Sequence, residues 1–172
     1  MPIAFFISNP PKTLVTPLGL RAPELILGGQ VNNTLDIWSF GCLMFELITG
    51  HPLFYIDPFE DSDVENDHHL LMFSDILGPL PEDLYVRWTR ASRYYDAERV
   101  KFNTLLHKAP KGTDPFSNQW RPLEEFFDEN KPGEVLDDEA KMVKDLLWRI
   151  LQYDLVKRPT PSQILQDPWF AI

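Results

Sequence analysis

Residues 35–48 read LDIWSFGCLMFELI, and the fold turns on this stretch. At 1.5 Å per residue it predicts a helix ~21 Å long. Its only charges are Asp36 and Glu46, while Trp38, Phe40, Leu43, Met44, Phe45 and Leu47 face several directions. The residues therefore predict a helix with no wet side, at the centre of a core. Asp36 falls in the first turn, where the helix dipole favours a carboxylate and where it can also hold a neighbouring loop by its amides. Gly50 supplies the stop, and Asn32 and Asn33 are candidate caps.

On the N-terminal side lies TPLGLRAPELILGG, in which Pro23 suits a first helical turn and Gly28 and Gly29 an end, predicting a helix of one to two turns. Residues 1–17 carry four prolines and read as extended chain or loop. On the other side, residues 57–83 hold nine acidic residues and no Lys or Arg, six of the nine before His68. Within that window His69 to Leu77 carries a helical apolar stripe closed by Gly78 and Pro79. The acids thus fall in a loop and at the start of a helix. Residues 84–112 reverse the sign, seven basic against two acidic, and predict a helix over Leu84 to Tyr95. Residues 113–140 return to a net −7; their portion DPFSNQWRPLEEFFDENKPGE has no lasting period and predicts an ordered, irregular insertion. From Asp137, DDEAKMVKDLLWRILQY is acidic first and then apolar at Met142, Val143, Leu146, Leu147, Ile150 and Leu151, a strong helix. A turn and a short helix capped near Thr160 or Ser162 complete the chain. With few alternating β-branched runs, the fold class is mainly α.

At 172 residues and 44% apolar content, residues 1–172 make one domain or a large piece of one. The balance of 26 acidic to 16 basic residues argues against nucleic acid as a partner and suits a basic protein or peptide. Cys42 is the single cysteine, so no internal disulfide forms, and its place on the central helix points to packing. No window reaches the ~18 apolar residues of a membrane span. The expected setting is soluble and intracellular, cytoplasmic or nuclear. His68 and His69 are adjacent, point different ways on a helix and have no cysteine near, so no metal site is expected. The acidic run reads first as a solvated loop and second as a docking surface for Arg-rich peptides.

Three separated pieces, RAPE at 21–24, DIWSFGC at 36–42 and KRPTPSQILQDPWF at 157–170, resemble in order and spacing the second half of the eukaryotic protein kinase domain. The resemblance covers nearly the whole chain and implies the large C-terminal lobe of that fold, incomplete. Arg21 ahead of A-P-E, the long stretch between the central helix and KRPT, and ENDHHLLMFSDILG resemble SR-protein kinases, in the form of their fungal-type relatives. On matching positions, the resemblance implies that Glu24 and Arg158 form a buried ion pair and that Asp36 holds the catalytic loop at the start of the Trp38 helix. Arg21 with Leu18 to Leu20 would meet the substrate residue after the phosphorylated one. Pro17 stands where many members have a Thr that touches the catalytic Asp, so that role is not carried over.

Asp67 matches the first acidic residue that holds Arg-rich peptides in SR-protein kinases; seven residues on stands Ser74, with Asp75 beside it. Phosphoryl transfer in kinases uses a Gly-rich loop, a strand Lys, H-R-D with its Asn, and D-F-G, and none of these is written here. ATP and Mg are implied only for an intact family member, and no catalytic residue or cofactor is expected in this chain. The side of the central helix that a helix and catalytic loop cover in the family is then expected to be exposed, open to the upstream kinase part or to a hydrophobic partner. Two functions follow: a Ser/Thr kinase family member whose intact relatives phosphorylate Ser in basic proteins, or a non-catalytic module that binds Arg-Ser-rich segments through an acidic docking surface.

Overall fold

Helix boundaries in the computed structural model, which describes residues 16–29, 31–56, 61–101 and 121–170, fall where side chains supply caps and stops. The elements in order are α1 (Pro23–Ile26), α2 (Thr34–Thr49), α3 (Ser62–Leu77), α4 (Glu82–Tyr85), α5 (Leu123–Asn130), α6 (Asp137–Ile150) and α7 (Pro161–Ile164), with short 3-10 turns at Leu18–Leu20, Ala91–Arg93, Leu155–Lys157 and Pro168–Phe170. Among the described residues the one isolated β pairing is Tyr95 with Lys101. Asn32 Oδ1 accepts hydrogen bonds from the Thr34 backbone N–H at 2.9 Å and hydroxyl at 2.6 Å, holding the start of α2. Gly50 ends it at φ 74°, a left-handed conformation that costs glycine least. Thr160 and Gln163 close a reciprocal capping box on α7, satisfying two otherwise orphaned backbone donors.

The core is built on α2. Trp38 is fully buried, its ring stacked on Phe54 at 6.0 Å and edge-on to Phe73 of α3 at 5.2 Å. α6 closes on α2 at Gly41, where an added Cβ would lie 2.6 Å from Ile150 Cγ2 and 2.9 Å from Leu151 Cδ2. A glycine inside a helix costs roughly 1 kcal/mol against alanine; here it permits the close crossing. Ala140, Val143, Leu146, Leu147 and Ile150 form the buried stripe of α6, and Phe126 and Phe127 of α5 meet Phe45 at ring distances of 5.1 and 5.9 Å.

Four readings of the sequence change. The central helix does have a wet line: Asp36 is exposed, and Phe40, Leu43 and Leu47 are 38%, 42% and 83% exposed. Their spacing of four, three and four residues sets them on one face. α3 starts seven residues before His69, because the Asp61 carboxylate accepts from the Asp63 backbone N–H at 2.8 Å, so Asp63, Glu65 and Asp67 stand on the helix itself. The helix expected over Leu84 to Tyr95 breaks into α4 and a 3-10 turn, since Trp88 and Tyr94 both turn toward a buried carboxylate on α3. LEEFFDEN, expected to be irregular, is helical: Leu123 and Phe127 are buried and Phe126 half-buried, an i, i+3, i+4 pattern that a window full of prolines hides. Apart from Thr16 and Pro17, the extended segment 1–17 lies outside the described residues, as do 113–120 of the insertion.

Candidate substrate-docking site

The Leu18–Leu20 turn and the start of α3 together make the candidate site. Backbone bonds from Leu20 N–H to Pro17 O at 3.0 Å and Arg21 N–H to Leu18 O at 3.1 Å close the turn, and Ser39 Oγ of α2 donates to Leu20 O at 3.0 Å. Gly19 is required there, because a Cβ would sit 2.5 Å from the Phe54 carbonyl oxygen. Leu20, Pro17, Glu46 and Phe54 line a cavity of about 250 Å³ under the turn; Leu18 is half-buried beside it and does not line it. Cys42 reaches that cavity, but burial pushes its thiol far up from its ordinary pKa, so it stays protonated and inert.

Arg21 links the turn to α3. Its Nε donates to Thr16 O at 3.2 Å and its Nη1 approaches Glu65 Oε1 at 3.5 Å. The two regions that the sequence treats as separate features, the substrate-facing turn and the acidic helix, are thus joined by one ion pair.

The predicted binding carboxylates sit otherwise than expected. Asp67 is 2% exposed: Oδ1 accepts from Trp88 Nε1 at 2.6 Å, and Oδ2 accepts from the Tyr94 hydroxyl at 2.8 Å and meets Arg90 Nε at 2.8 Å. Burial, then the Asp67 carboxylate, pushes the Tyr94 hydroxyl up to about 12, so it remains a donor across the physiological range. As an open contact for a peptide, Asp67 is therefore corrected: a carboxylate leaving water must be paired, and the chain supplies all its partners. Asp75 is half-buried and bound by Lys101 Nζ at 2.6 Å. The accessible acids are Asp61, an exposed residue, and Asp63, whose side chain is 68% exposed and which meets Arg90 Nη1 at 3.1 Å. Trp88, Arg90 and Tyr94 were missed in the sequence. Their one signal is the sign reversal of residues 84–112 directly after the acidic window.

Glu24 and Arg158 form a bidentate pair, Nη1 to Oε1 at 2.6 Å and Nη2 to Oε2 at 2.9 Å, both side chains buried. Arg158 Nε also donates to Gln152 O at 2.8 Å and Nη1 to Thr34 O at 3.1 Å, and the guanidinium lies 4.9 Å over the Trp38 ring. Asp36 stands exposed in the first turn of α2. Among the described residues no group of three or more His, Cys, Asp or Glu is placed to hold a metal, and no described helix is long and apolar enough to cross a membrane.

The protein kinase domain family matches residues 4–170. The chain belongs to the protein kinase family. Among its relatives are the dual specificity protein kinase lkh1 of Schizosaccharomyces pombe, 32% identical over 93% of this chain and 21% of lkh1, and the dual specificity protein kinase CLK1 of Mus musculus, 33% identical over 92% and 29%. The serine/threonine-protein kinase SRPK of Physarum polycephalum is 29% identical over 88% of this chain and 32% of its own. This kinase chain is related to SR-protein kinases, and it spans a fifth to a third of the length of these relatives. A crystal structure of a kinase domain superposes on it with a TM-score of 0.68 at 26% identity, covering 96% of this chain and 44% of that one. The helical arrangement is that of the kinase C-terminal lobe, without a sheet among the described residues.

Proposed function

We propose that this kinase lobe is a docking half for basic, Arg-Ser-rich proteins inside the cell, the substrate class whose Ser residues intact relatives phosphorylate with ATP. The observation that carries the reading is the Arg21–Glu65 bridge. It sets the acidic start of α3 beside the Leu18–Arg21 turn, so a basic segment leaving the turn meets Asp61 and Asp63 in series. Guanidinium forks match carboxylates in bidentate pairs, and exposed pairs of this kind are screened beyond ~8 Å at physiological salt. An Arg-Ser repeat peptide is expected to bind weakly, with affinity falling steeply between low and physiological salt. Asp61→Asn with Asp63→Asn should cut the low-salt affinity severalfold. Absence of binding at low salt, or a double variant indistinguishable from wild type, overturns the docking reading and leaves a solvated acidic face.

No phosphoryl transfer is assigned to these 172 residues. The groups that cradle phosphate, hold metal and take the hydroxyl proton in kinases are not written in them, so a clean preparation should show no peptide-dependent ATP turnover above buffer. Measurable turnover would sink this assignment. A second reading, a binding module without chemistry, is favoured by the apolar line Phe40, Leu43 and Leu47, which offers a partner surface, whether the remainder of a kinase domain or another hydrophobic protein, beside the acidic one.

A further inference from the structure

We propose that Arg90 is a built-in occupant of the acidic docking face and sets how many arginines a partner must bring. The inference rests on the docking reading above and deepens it. Arg90 Nε lies 2.8 Å from Asp67 Oδ2 and its Nη1 lies 3.1 Å from Asp63 Oδ2. One guanidinium thus spans two carboxylates four residues apart on α3, one of them buried and the other largely open, the seat that an arginine arriving from outside would take.

The fold places Arg90 there. The chain leaves α4 at Tyr85 instead of continuing as a helix, and a turn then brings Trp88 and Arg90 back over α3, with the Tyr94 ring stacked 5.5 Å from that of Trp88. Without Arg90, Asp67 keeps two neutral donors, Trp88 Nε1 and the Tyr94 hydroxyl, which hold both its oxygens in place while leaving its charge unpaired. The Arg90 side chain is 19% exposed, at the rim.

A tethered group competes at an effective concentration on the order of millimolar or above. A peptide carrying a single arginine exchanges one guanidinium for another at Asp63 and gains nothing. A repeat gains because its further arginines reach the exposed Asp61, which Arg90 does not occupy. Arg90 thereby rejects isolated arginines and admits runs of them, a specificity built from competition.

The test titrates a single-arginine peptide and an eight-residue Arg-Ser repeat, at low salt, against wild type, Arg90→Ala, Arg90→Gln and Arg93→Ala. Arg93 is exposed, so its removal makes the same charge change outside the seat; Arg90→Gln keeps a hydrogen-bond donor but no charge. Both Arg90 variants should bind the single-arginine peptide on the order of tenfold more tightly and discriminate less between the two peptides, while Arg93→Ala follows wild type. Wild type binding the repeat with Arg90 variants binding no better removes the competitor role and leaves docking intact. Failure of every version to bind the repeat removes both. Equal tightening by Arg93→Ala reduces the effect to net charge, and failure of both Arg90 variants to fold makes Arg90 a structural tie; either outcome overturns the proposal.

Discussion

Glu24→Ala and Arg158→Ala each lower the unfolding free energy by about 3–5 kcal/mol, because each leaves a buried charge without its partner. The two cases are not symmetrical. Removing Arg158 orphans the Glu24 carboxylate and also withdraws donors from the Gln152 and Thr34 carbonyls; removing Glu24 leaves the guanidinium those two bonds and the Trp38 face. Arg158→Ala is therefore expected to be the more damaging. The double variant costs clearly less than the sum of the singles, since neither charge is then stranded. Denaturant unfolding of all four proteins gives the cycle, with Lys141→Ala as a surface control. Single-variant losses no larger than that control would show the pair to be dispensable.

Acid weakens the lobe through His69. Its imidazole is 1% exposed, packed 4.4 Å from the Phe73 ring and 5.9 Å from that of Phe54, and its Nε2 finds no hydrogen-bond partner among the described residues. Burial, with smaller repulsion from Arg21 and His68, pulls its pKa from 6.5 down to about 3. The unfolded chain thus takes up this proton earlier than the folded one. The stability is fully present above pH 6.5 and drains as pH falls through the interval down to about 3. At 1.36 kcal/mol per unit the loss is about 2 kcal/mol by pH 5 and between 4 and 5 kcal/mol near pH 3. His69→Leu should flatten that part of the profile: the gap in stability between pH 7 and pH 5 shrinks by about 2 kcal/mol relative to wild type. An unchanged gap would mean that the ring is protonated as easily folded as unfolded.

Local chemistry was legible in the sequence. Pro23, Gly50 and Thr160 mark ends of α1, α2 and α7 because their backbone or side-chain preferences act within a few residues. The stripe of α6 was equally plain. The start of α3 was not, because Asp61 as a cap is hidden among other acids. The dry and wet sides of α2 were not separable either, since Phe40, Leu43 and Leu47 are as apolar as the residues that face the core. At the candidate site, the sequence reached Arg21 and α3 through family resemblance, but not the closure of Trp88, Arg90 and Tyr94 on Asp67. That closure joins residues 21 to 27 apart, and no periodicity encodes which distant side chain a carboxylate meets.

The Glu24–Arg158 contact also has a kinetic side, for it joins residues 134 positions apart in the chain. At synthesis rates of about 5–20 residues per second, Glu24 is joined to the chain roughly 7–27 s before its partner exists. During that interval the carboxylate lacks the guanidinium that pairs it in the fold, and only the apolar contacts of Ala22, Leu25 and Ile26 hold α1 to the core. The segment around Glu24 is thus locked only once the turn that carries Arg158 has been made, so a nascent lobe is exposed to proteases and chaperones until that turn arrives.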